Sequence, residues 1–307
     1  MLLLIKYTLL YGIVLMLVAL GGMFSEHSGV INIALEGIMV VGGLAGVLVT
    51  ASLPTTMAPA LIVLAAVVAA AVCGMLYSLL LAFASINLKA DQTIGGTALN
   101  MLATAIAMIL AKNFNGSTSA KISYTNKPFL FSIGGLELSI FIPLGIVLLV
   151  VSYIVMYKTR FGLRLRACGE HPQAADSVGI NVYKMRYAGV LISGFLGGIG
   201  GLAYTVAAGS GFNSDVGGYG FLALAVMIFG NWKPFPILAS SVFFALFKVI
   251  AAYSSSLSFL PKFDGVKEIS NFYQMLPYIV TMIVLIFTSK NSQAPKAEGI
   301  PYDKGSR

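Results

Sequence analysis

Charged side chains are scarce in this sequence of 307 residues. Asp, Glu, Lys and Arg together make up 10% of it, whereas 58% of the residues are hydrophobic. A soluble protein carries about 25% charged residues, so a surface built from this composition cannot face water throughout. The composition excludes an ordinary soluble domain and predicts an all-α, polytopic transmembrane helical bundle.

Residue types that carry most enzyme chemistry are scarce as well. The two cysteines, Cys73 in an apolar run and Cys168 in a basic loop, do not suggest a disulfide framework, and neither lies near a second cysteine or a histidine cluster that could hold a metal. His27 and His171 have no partners that suggest catalysis. No Gly-x-x-x-x-Gly-Lys-[Ser/Thr] phosphate loop is present. We therefore expect no catalytic residue, no metal and no bound cofactor in this chain.

Long apolar runs supply nine candidate membrane segments. A helix needs about 20 apolar residues to cross a bilayer. The runs cover residues 7–24, 30–50, 60–86, 93–111, 139–157, 187–208, 218–230, 235–253 and 273–289. The run 218–230 is short for a span and fits a half-helix. We expect eight or nine crossings with one or two broken or short helices, in a transmembrane domain over residues 1–289 followed by a disordered tail over 290–307.

Positive charge is concentrated in residues 158–186, which hold six Lys/Arg and two Asp/Glu. Basic loops beside spans mark the cytoplasmic side, and the tail over 290–307 is basic too. Both should therefore lie inside the cell, which places residues 112–138 outside and, if the run 30–50 crosses the membrane, the N-terminus outside as well. Because the charge sits beside the spans, it predicts contact with lipid head groups and no nucleic-acid partner.

The basic loop contains a short helix candidate. Pro172 suits the first position of a helix, where a missing N–H costs nothing, and Gly179 suits the residue just past its end. Ala174, Ala175 and Val178 are predicted to share one face of it. Such a helix, held out from the membrane, is suited to docking another protein.

Two sets of polar residues fall within the spans. Asn32 and Glu36 are four residues apart and share a helix face; Thr97, Asn100 and Thr104 share a face of the fourth span. An acid at membrane depth is expensive and by default faces a bundle interior or water. Either these residues line a translocation pathway, or they bond across helices and satisfy a broken backbone. The sequence leaves both interpretations open.

Three stretches together carry a resemblance to one family. The family is that of the permease subunits of bacterial ABC importers in the branched-chain amino acid, ribose and simple-sugar group. Its second-segment signature resembles residues 29–39, and its cytoplasmic coupling loop resembles residues 159–180. Its late short segment resembles residues 220–234. The amino-acid sequences of residues 36–39 and 113–117 are most similar to those of the nucleoside-import branch. The resemblance implies a plasma-membrane importer subunit that forms half of a pathway for nucleosides, with ribose or another simple sugar as the alternative.

The same resemblance implies partners and contact residues. The partners would be a second, paralogous permease, a tandem ABC ATPase that uses ATP and Mg²⁺, and an extracellular substrate-binding lipoprotein. The coupling residues carried over are Arg160, Gly162, Arg164, Arg166, Glu170, Pro172, Ala174, Ala175, Val178 and Gly179. The three arginines could equally fix topology and meet lipid head groups.

Other functions are weighed against this one. A secondary transporter would usually show inverted repeats and more intramembrane acids, and a membrane-embedded enzyme would need paired carboxylates, histidine clusters or a nucleophile with its base. Neither pattern is visible. Trp232 and the tyrosines near span ends fit an aromatic interface belt, with a stacking role for nucleobases left open.

Overall fold

The computed structural model describes residues 2–54, 56–116, 119–133, 136–209, 211–252 and 293–305, together with single positions between 275 and 286. The predicted span 273–289 therefore lies largely outside the described residues. Helices dominate: α1 Leu2–His27, α2 Leu35–Ser52, α3 Pro59–Ala82 (continued by a π-helical turn, Phe83–Asn87), α4 Gln92–Asn115, α5 Phe141–Lys158, α6 Arg160–Glu170, α7 Pro172–Ser177, α8 Val182–Ala208, α9 Tyr219–Phe229 and α10 Pro234–Ala252.

Seven of the described helices are long and apolar enough to cross a membrane, and α9 is a shorter apolar helix. The prediction of an all-α polytopic bundle with a short helix is confirmed. The long loop after α4 also contains a 3₁₀ turn, Lys127–Phe129, and a two-stranded antiparallel hairpin, β1 Leu130–Ile133 and β2 Leu136–Ser139, which hydropathy did not predict.

Local capping explains several helix boundaries. The Asp91 carboxylate accepts the N–H groups of Thr93 and Ile94, each at 2.9 Å, so α4 begins directly after it. The Asn181 side chain accepts the N–H of Lys184 at 3.0 Å, so α8 begins at Val182 and not at the predicted residue 187. Because these capping residues are polar, a search for apolar runs does not detect helix starts of this kind.

The centre of the bundle is formed by α8 packed against α1, α2 and α3. A Cβ on Gly198 would lie 2.2 Å from the carbonyl oxygen of Ala70, and one on Gly42 would lie 2.4 Å from the Cα of Gly198. Backbones therefore touch where glycines meet, as expected for helices that associate in lipid. By contrast, α4 and α5 are peripheral and expose apolar side chains.

The bundle has two distinct ends. The end that carries α6, α7, the connection between α3 and α4, and residues 293–305 is called the basic end; the other, with the β hairpin, is called the opposite end. At the basic end the N–H of Ala297 donates to the Gly169 carbonyl at 2.8 Å, and Lys89 pairs with Asp303 at 3.0 Å. At the opposite end Ile122 and Phe212 form an isolated β-bridge.

The structure differs from the disordered tail predicted over 290–307. Within it, residues 293–305 lie against the basic end, where Ala297 and Tyr302 are buried. Burial of these two apolar side chains and backbone hydrogen bonds to Gly169 and Gly29 offset the ordering entropy. Residues 290–292 and 306–307 lie outside the described residues.

Candidate functional site

Two broken helices meet inside the bundle. Residues 28–34 are irregular and mostly buried, so α2 begins at Leu35 within the bundle and not at the predicted residue 30. From the opposite end, residues 211–218 run inward as an irregular segment until α9 begins at Tyr219. The N-termini of α2 and α9 therefore lie near each other, and both carry partial positive charge.

The Glu36 carboxylate lies at this junction. Glu36 is in the first turn of α2 and only 8% exposed. Its two oxygens accept the N–H groups of Gly218 at 2.8 Å and Gly220 at 2.6 Å, at the start of α9. The approach is close enough that a Cβ on Gly220 would lie 2.4 Å from the Cα of Glu36. Glu36 thus caps α9 from another helix and joins α2 to it.

Asn100 supplies hydrogen bonds at the start of α2, where the N-cap residue Ala34 provides no side-chain cap. The Asn100 side-chain oxygen accepts the N–H of Gly37 at 2.7 Å, and its amide nitrogen donates to the Ile33 carbonyl at 2.9 Å. One side chain of α4 therefore bridges the irregular segment and the first turn of α2. This is the bonding across helices that the sequence left open as one interpretation.

The remaining predicted pathway residues fall into two groups. Asn32 is fully buried and donates to the hydroxyl of Ser193 at 2.8 Å, so it fixes the irregular segment to α8. The hydroxyl of Thr97, which is exposed, donates to its own helix, and that of Thr104 donates to the Asn100 carbonyl at 3.3 Å. The structure brings Asn32, Glu36 and Asn100 together around the start of α2 and leaves Thr97 and Thr104 apart.

The predicted coupling loop folds into two helices, of which only the second was predicted. The Thr159 hydroxyl caps α6 by accepting the Gly162 N–H at 3.2 Å. A Cβ on Gly162 would lie 2.2 Å from the Met156 carbonyl oxygen, so the sharp turn from α5 into α6 requires glycine there. Arg166 lies over the Tyr157 ring at 4.8 Å, whereas Arg160, Arg164 and Glu170 are exposed.

The helix α7 has the predicted start at Pro172, and Gly179 adopts the left-handed φ of +84° just past its end. The three residues predicted to share one face of α7 do not all face the same way, however. Ala175 is only 4% exposed and packs beneath the helix, because with so short a helix one side must cover the chain below. Ala174 and Val178 face outward, Val178 being 75% exposed. The outward surface of α7 is therefore narrower than predicted.

Residues 293–305 support α7 from below. Tyr302 packs with Cys168, Ala175 and Val182 and meets the Tyr183 ring edge-on at 5.3 Å. Burial raises the pKa of the Cys168 thiol to about 11. A 650 Å³ cavity opens between α7 and Tyr302. The tail is part of the surface that presents α7, which sequence reasoning missed.

A second polar group at the basic end was also missed. The Trp232 indole donates to the Glu26 carboxylate, and the Trp232 carbonyl lies 3.1 Å from Nε2 of His27. Trp232 is 4% exposed, so the prediction of an interface-belt residue is wrong for it. Glu298 from the tail faces Glu26, and its burial raises its pKa to about 7. A lone tryptophan in a tight turn and an acid at the end of a span were the available signals.

The described residues offer no group of three His, Cys, Asp or Glu side chains that could hold a metal. What the geometry offers instead is a linked set of contacts. A Cβ on Gly169 of α6 would lie 2.4 Å from the His27 carbonyl oxygen, so α6 rests on the end of α1. The end of α1 holds the turn after α9 through Trp232, and Glu36 holds the start of α9.

Known transporter permeases match most of this chain in sequence. A nucleoside ABC transporter permease protein of Lactococcus lactis, NupC, is 42% identical over 96% of this chain and 95% of its own length. A guanosine ABC transporter permease protein of Bacillus subtilis, NupQ, is 42% identical over 98% and 96%. A putative glucose ABC transporter permease protein of Haloferax volcanii is 31% identical over 80% and 75%.

The family match covers nearly the whole chain. Residues 4–288 match the family described as the permease component of the branched-chain amino acid transport system. This range includes both broken helices, the junction at Glu36 and the α6–α7 segment. The chain therefore belongs to the family of branched-chain amino acid transport system permease components.

Proposed function

We propose that this chain is the membrane permease subunit of an ATP-driven importer for nucleosides. The observation that carries the proposal is the 42% identity to two permeases named for nucleoside and guanosine transport, over at least 95% of every chain compared. A relative named as a putative glucose permease is 31% identical over 80% of this chain, so a sugar is the competing cargo.

The work is divided between chains in this proposal. A separate tandem ABC ATPase binds ATP and Mg²⁺ and hydrolyses the nucleotide, and an extracellular lipoprotein delivers the cargo. A second, paralogous permease completes the pathway. The exposed apolar faces of α4 and α5 are available to lipid or to that second permease. No chemistry is done on the cargo.

The basic end faces the cytoplasm in this proposal, because residues 158–186 carry a net charge of about +4 and basic loops stay inside. Residues 293–305 lie at the same end and are therefore cytoplasmic. The N-terminus of α1 then lies outside. The ATPase docks on the outward surface of α7, around Ala174 and Val178, with the exposed Arg160, Arg164 and Glu170 beside it.

A mechanical route leads from that docking surface to the middle of the membrane. Movement of α6 and α7 acts on the end of α1 at Gly169 and His27. The end of α1 is bonded to Trp232, which directly follows α9. The other end of α9 is held by Glu36. ATP-driven closure of the ATPases would therefore shift α9 and alternate access between the two ends.

Uptake measurements test the proposal. Initial rates for radiolabelled uridine, guanosine, adenosine, ribose and glucose would be compared in cells with and without the gene. Loss of nucleoside uptake alone supports it. Loss of ribose or glucose uptake alone would transfer the chain to the sugar branch.

The coupling part has its own test. Val178→Glu places a charge on the outward surface of α7, and Thr93→Glu places the same charge on an exposed residue of the basic end outside it. We expect Val178→Glu to abolish ATP-driven uptake and retention of the ATPase during purification, whereas Thr93→Glu retains both. Normal uptake by Val178→Glu would contradict docking on this surface.

A further inference from the structure

Four tyrosine rings gather in the half of the bundle toward the opposite end. They come from three helices: Tyr7 and Tyr11 from α1, Tyr204 from α8 and Tyr219 from α9. We call them the tyrosine cluster. The ring centroids of Tyr204 and Tyr219 are 4.7 Å apart, those of Tyr11 and Tyr219 are 5.5 Å apart, and those of Tyr7 and Tyr11 are 6.3 Å apart.

Tyr11, Tyr204 and Tyr219 differ in position from the residues of an interface belt. Belt tyrosines lie at the level of the lipid head groups, whereas the tyrosine cluster converges on the start of α9, within the bundle. Tyr219 is 7% exposed, and Tyr11 and Tyr204 are half-buried. Both of these residues therefore keep some exposed surface. Three rings from separate helices thus form one aromatic surface beside the broken helix.

Charged groups border this surface. Nζ of Lys248, on α10, lies 5.1 Å from the centre of the Tyr219 ring. Asp215, which is exposed, lies within electrostatic range of Tyr204 and Glu36. Ionisable residues at membrane depth are costly, and they mark substrate pathways by default. Glu36 caps α9, so Lys248 and Asp215 are the two further ionisable groups that lie beside this aromatic surface.

The backbone beside the cluster is irregular. Residues 211–218 descend from the opposite end to the start of α9 without regular structure. Irregular backbone at this depth is tolerated only where it is buried in protein or lines a water-filled cavity. Asp215 and Gly217 are exposed, which favours the cavity. Broken helices beside such a cavity are where transporters bind their cargo.

We propose that Tyr11, Tyr204 and Tyr219 form a stacking surface for the planar base of a nucleoside entering from the opposite end, with Lys248 and Asp215 placed to hydrogen-bond its polar groups. This inference rests on the proposed function. Stacking suits a permease that accepts several bases, because every base has a π-face. A transport site must also release its cargo, and a partly open aromatic surface binds weakly enough to do so.

Substitutions of Tyr204 separate stacking from packing. Tyr204→Leu removes the ring and keeps an apolar side chain, whereas Tyr204→Phe keeps the ring. Tyr153→Leu is the matched control, because Tyr153 packs against Phe235 at 5.1 Å in a similar aromatic group outside the cluster. Initial uptake of uridine and guanosine would be measured at low cargo concentration in cells producing the whole transporter, and normalised to the amount of permease in the membrane.

We expect Tyr204→Leu to lower the normalised uptake about tenfold, the size of effect that loss of one base–aromatic stack produces. Tyr204→Phe and Tyr153→Leu should stay within about twofold of the unaltered chain. Equal rates for Tyr204→Leu and the unaltered chain would overturn the inference, as would equal losses for Leu and Phe. If the unaltered chain imports no nucleoside, the proposed function fails and the inference fails with it.

A photoreactive azido-nucleoside gives a readout that does not depend on folding of a variant. It would be irradiated with membranes containing the unaltered transporter, and the labelled peptides would be mapped. Label in the peptides that contain Tyr11, Tyr204 or Tyr219, removed by excess uridine, is the expected result. Displaceable label confined to other helices would overturn the inference.

Discussion

Glu36 is a buried acid at the point where the N-termini of α2 and α9 meet. Two helix N-termini approach each other, and their unpaired N–H groups and partial positive charges would cost free energy without an acceptor. The Glu36 carboxylate supplies two acceptor oxygens to α9, while Asn100 serves α2. Polarity at membrane depth is here a structural requirement of broken helices, whatever else these residues contact.

The first prediction concerns this cap. Glu36→Ala leaves the N–H groups of Gly218 and Gly220 unpaired and should destabilise the chain by about 2–4 kcal/mol, because a buried donor left unsatisfied costs about 1–3 kcal/mol. Glu36→Gln keeps one acceptor oxygen and should lose about half as much. Thermal unfolding in detergent measures both. Glu137→Ala, at an exposed position of β2, is the control, and a melting temperature for Glu36→Ala equal to the control's would refute the capping role.

The second prediction concerns backbone contact at glycine. Gly198→Ala places a methyl group 2.2 Å from the Ala70 carbonyl oxygen and should destabilise the chain by about 1–3 kcal/mol through overpacking. Gly95→Ala is the matched control, because nothing lies within 4 Å of its Cβ. In α4 the added methyl group should stabilise by about 0.5–1 kcal/mol. The two changes should shift the melting temperature in opposite directions, and a shared direction would contradict the packing described.

At the scale of elements, α7 depends on a segment more than a hundred residues away. It has six residues and cannot be stable alone, since isolated helices shorter than about 12–15 residues are marginal even in favourable sequences. Ala175 and Tyr302 pack together with Cys168, and Arg186, which is 1% exposed, donates to the Ile300 carbonyl at 3.0 Å. Residues 293–305 therefore hold α7 in position for docking.

Thiol labelling tests this support in a chain carrying Cys73→Ser. Burial keeps Cys168 mostly as the unreactive thiol at pH 8, because its pKa is raised to about 11. Tyr302→Ala removes the cover, so the pKa should fall toward its ordinary value and maleimide labelling should accelerate at least about tenfold, one pKa unit being tenfold in thiolate. Ile300→Ala, at an exposed position in the same segment, should leave the rate unchanged. Equal rates in the two variants would show that Tyr302 is not the cover.

The attachment of residues 293–305 should depend on pH through Glu298. Its pKa is raised to about 7 by burial, so between its ordinary value and about 7 the attached segment retains a proton that the released segment has lost. Attachment of the segment is therefore strongest at pH values below the ordinary pKa of a glutamate and weakens as the pH rises through 7. The contribution of Glu298 to attachment is gone by about pH 8. Tryptic cleavage after Lys296, expressed relative to Glu298→Gln at each pH, should rise from pH 6 to pH 8. A flat ratio would contradict the assignment.

The positions of the helices were largely predictable from the sequence, whereas the contacts that join one helix to another were not. Hydropathy located the spans because crossing a bilayer demands a long apolar run, and Pro172 with Gly179 located α7. The irregular segment 28–34 was hidden because Val30, Ile31, Ile33 and Ala34 are apolar and continue directly into the apolar run of α2. The interactions of Glu36 with Gly218 and of Glu26 with Trp232 join residues about 180 and 200 positions apart, and no local pattern encodes such partners.

For the whole molecule, orientation is the property to measure. The proposed arrangement places α7 and residues 293–305 inside and the β hairpin outside. In a chain without its native cysteines, Ser177→Cys and Lys304→Cys should resist a membrane-impermeant maleimide in intact cells, whereas Glu137→Cys should react. All three positions are exposed, so accessibility reports the side of the membrane. Reaction of Lys304→Cys in intact cells would place the segment outside and refute the orientation.

The glycine contacts between α2, α3 and α8 determine what can move. Where backbones touch directly, no rotamer change can absorb a shift, so we expect these three helices to move together as one frame. The helix α9 is fixed to that frame by Glu36 at one end and follows α1 through Trp232 at the other. Structures captured at different stages of a transport cycle should therefore superimpose on the frame and diverge at α9, and amide exchange should be slowest in the frame.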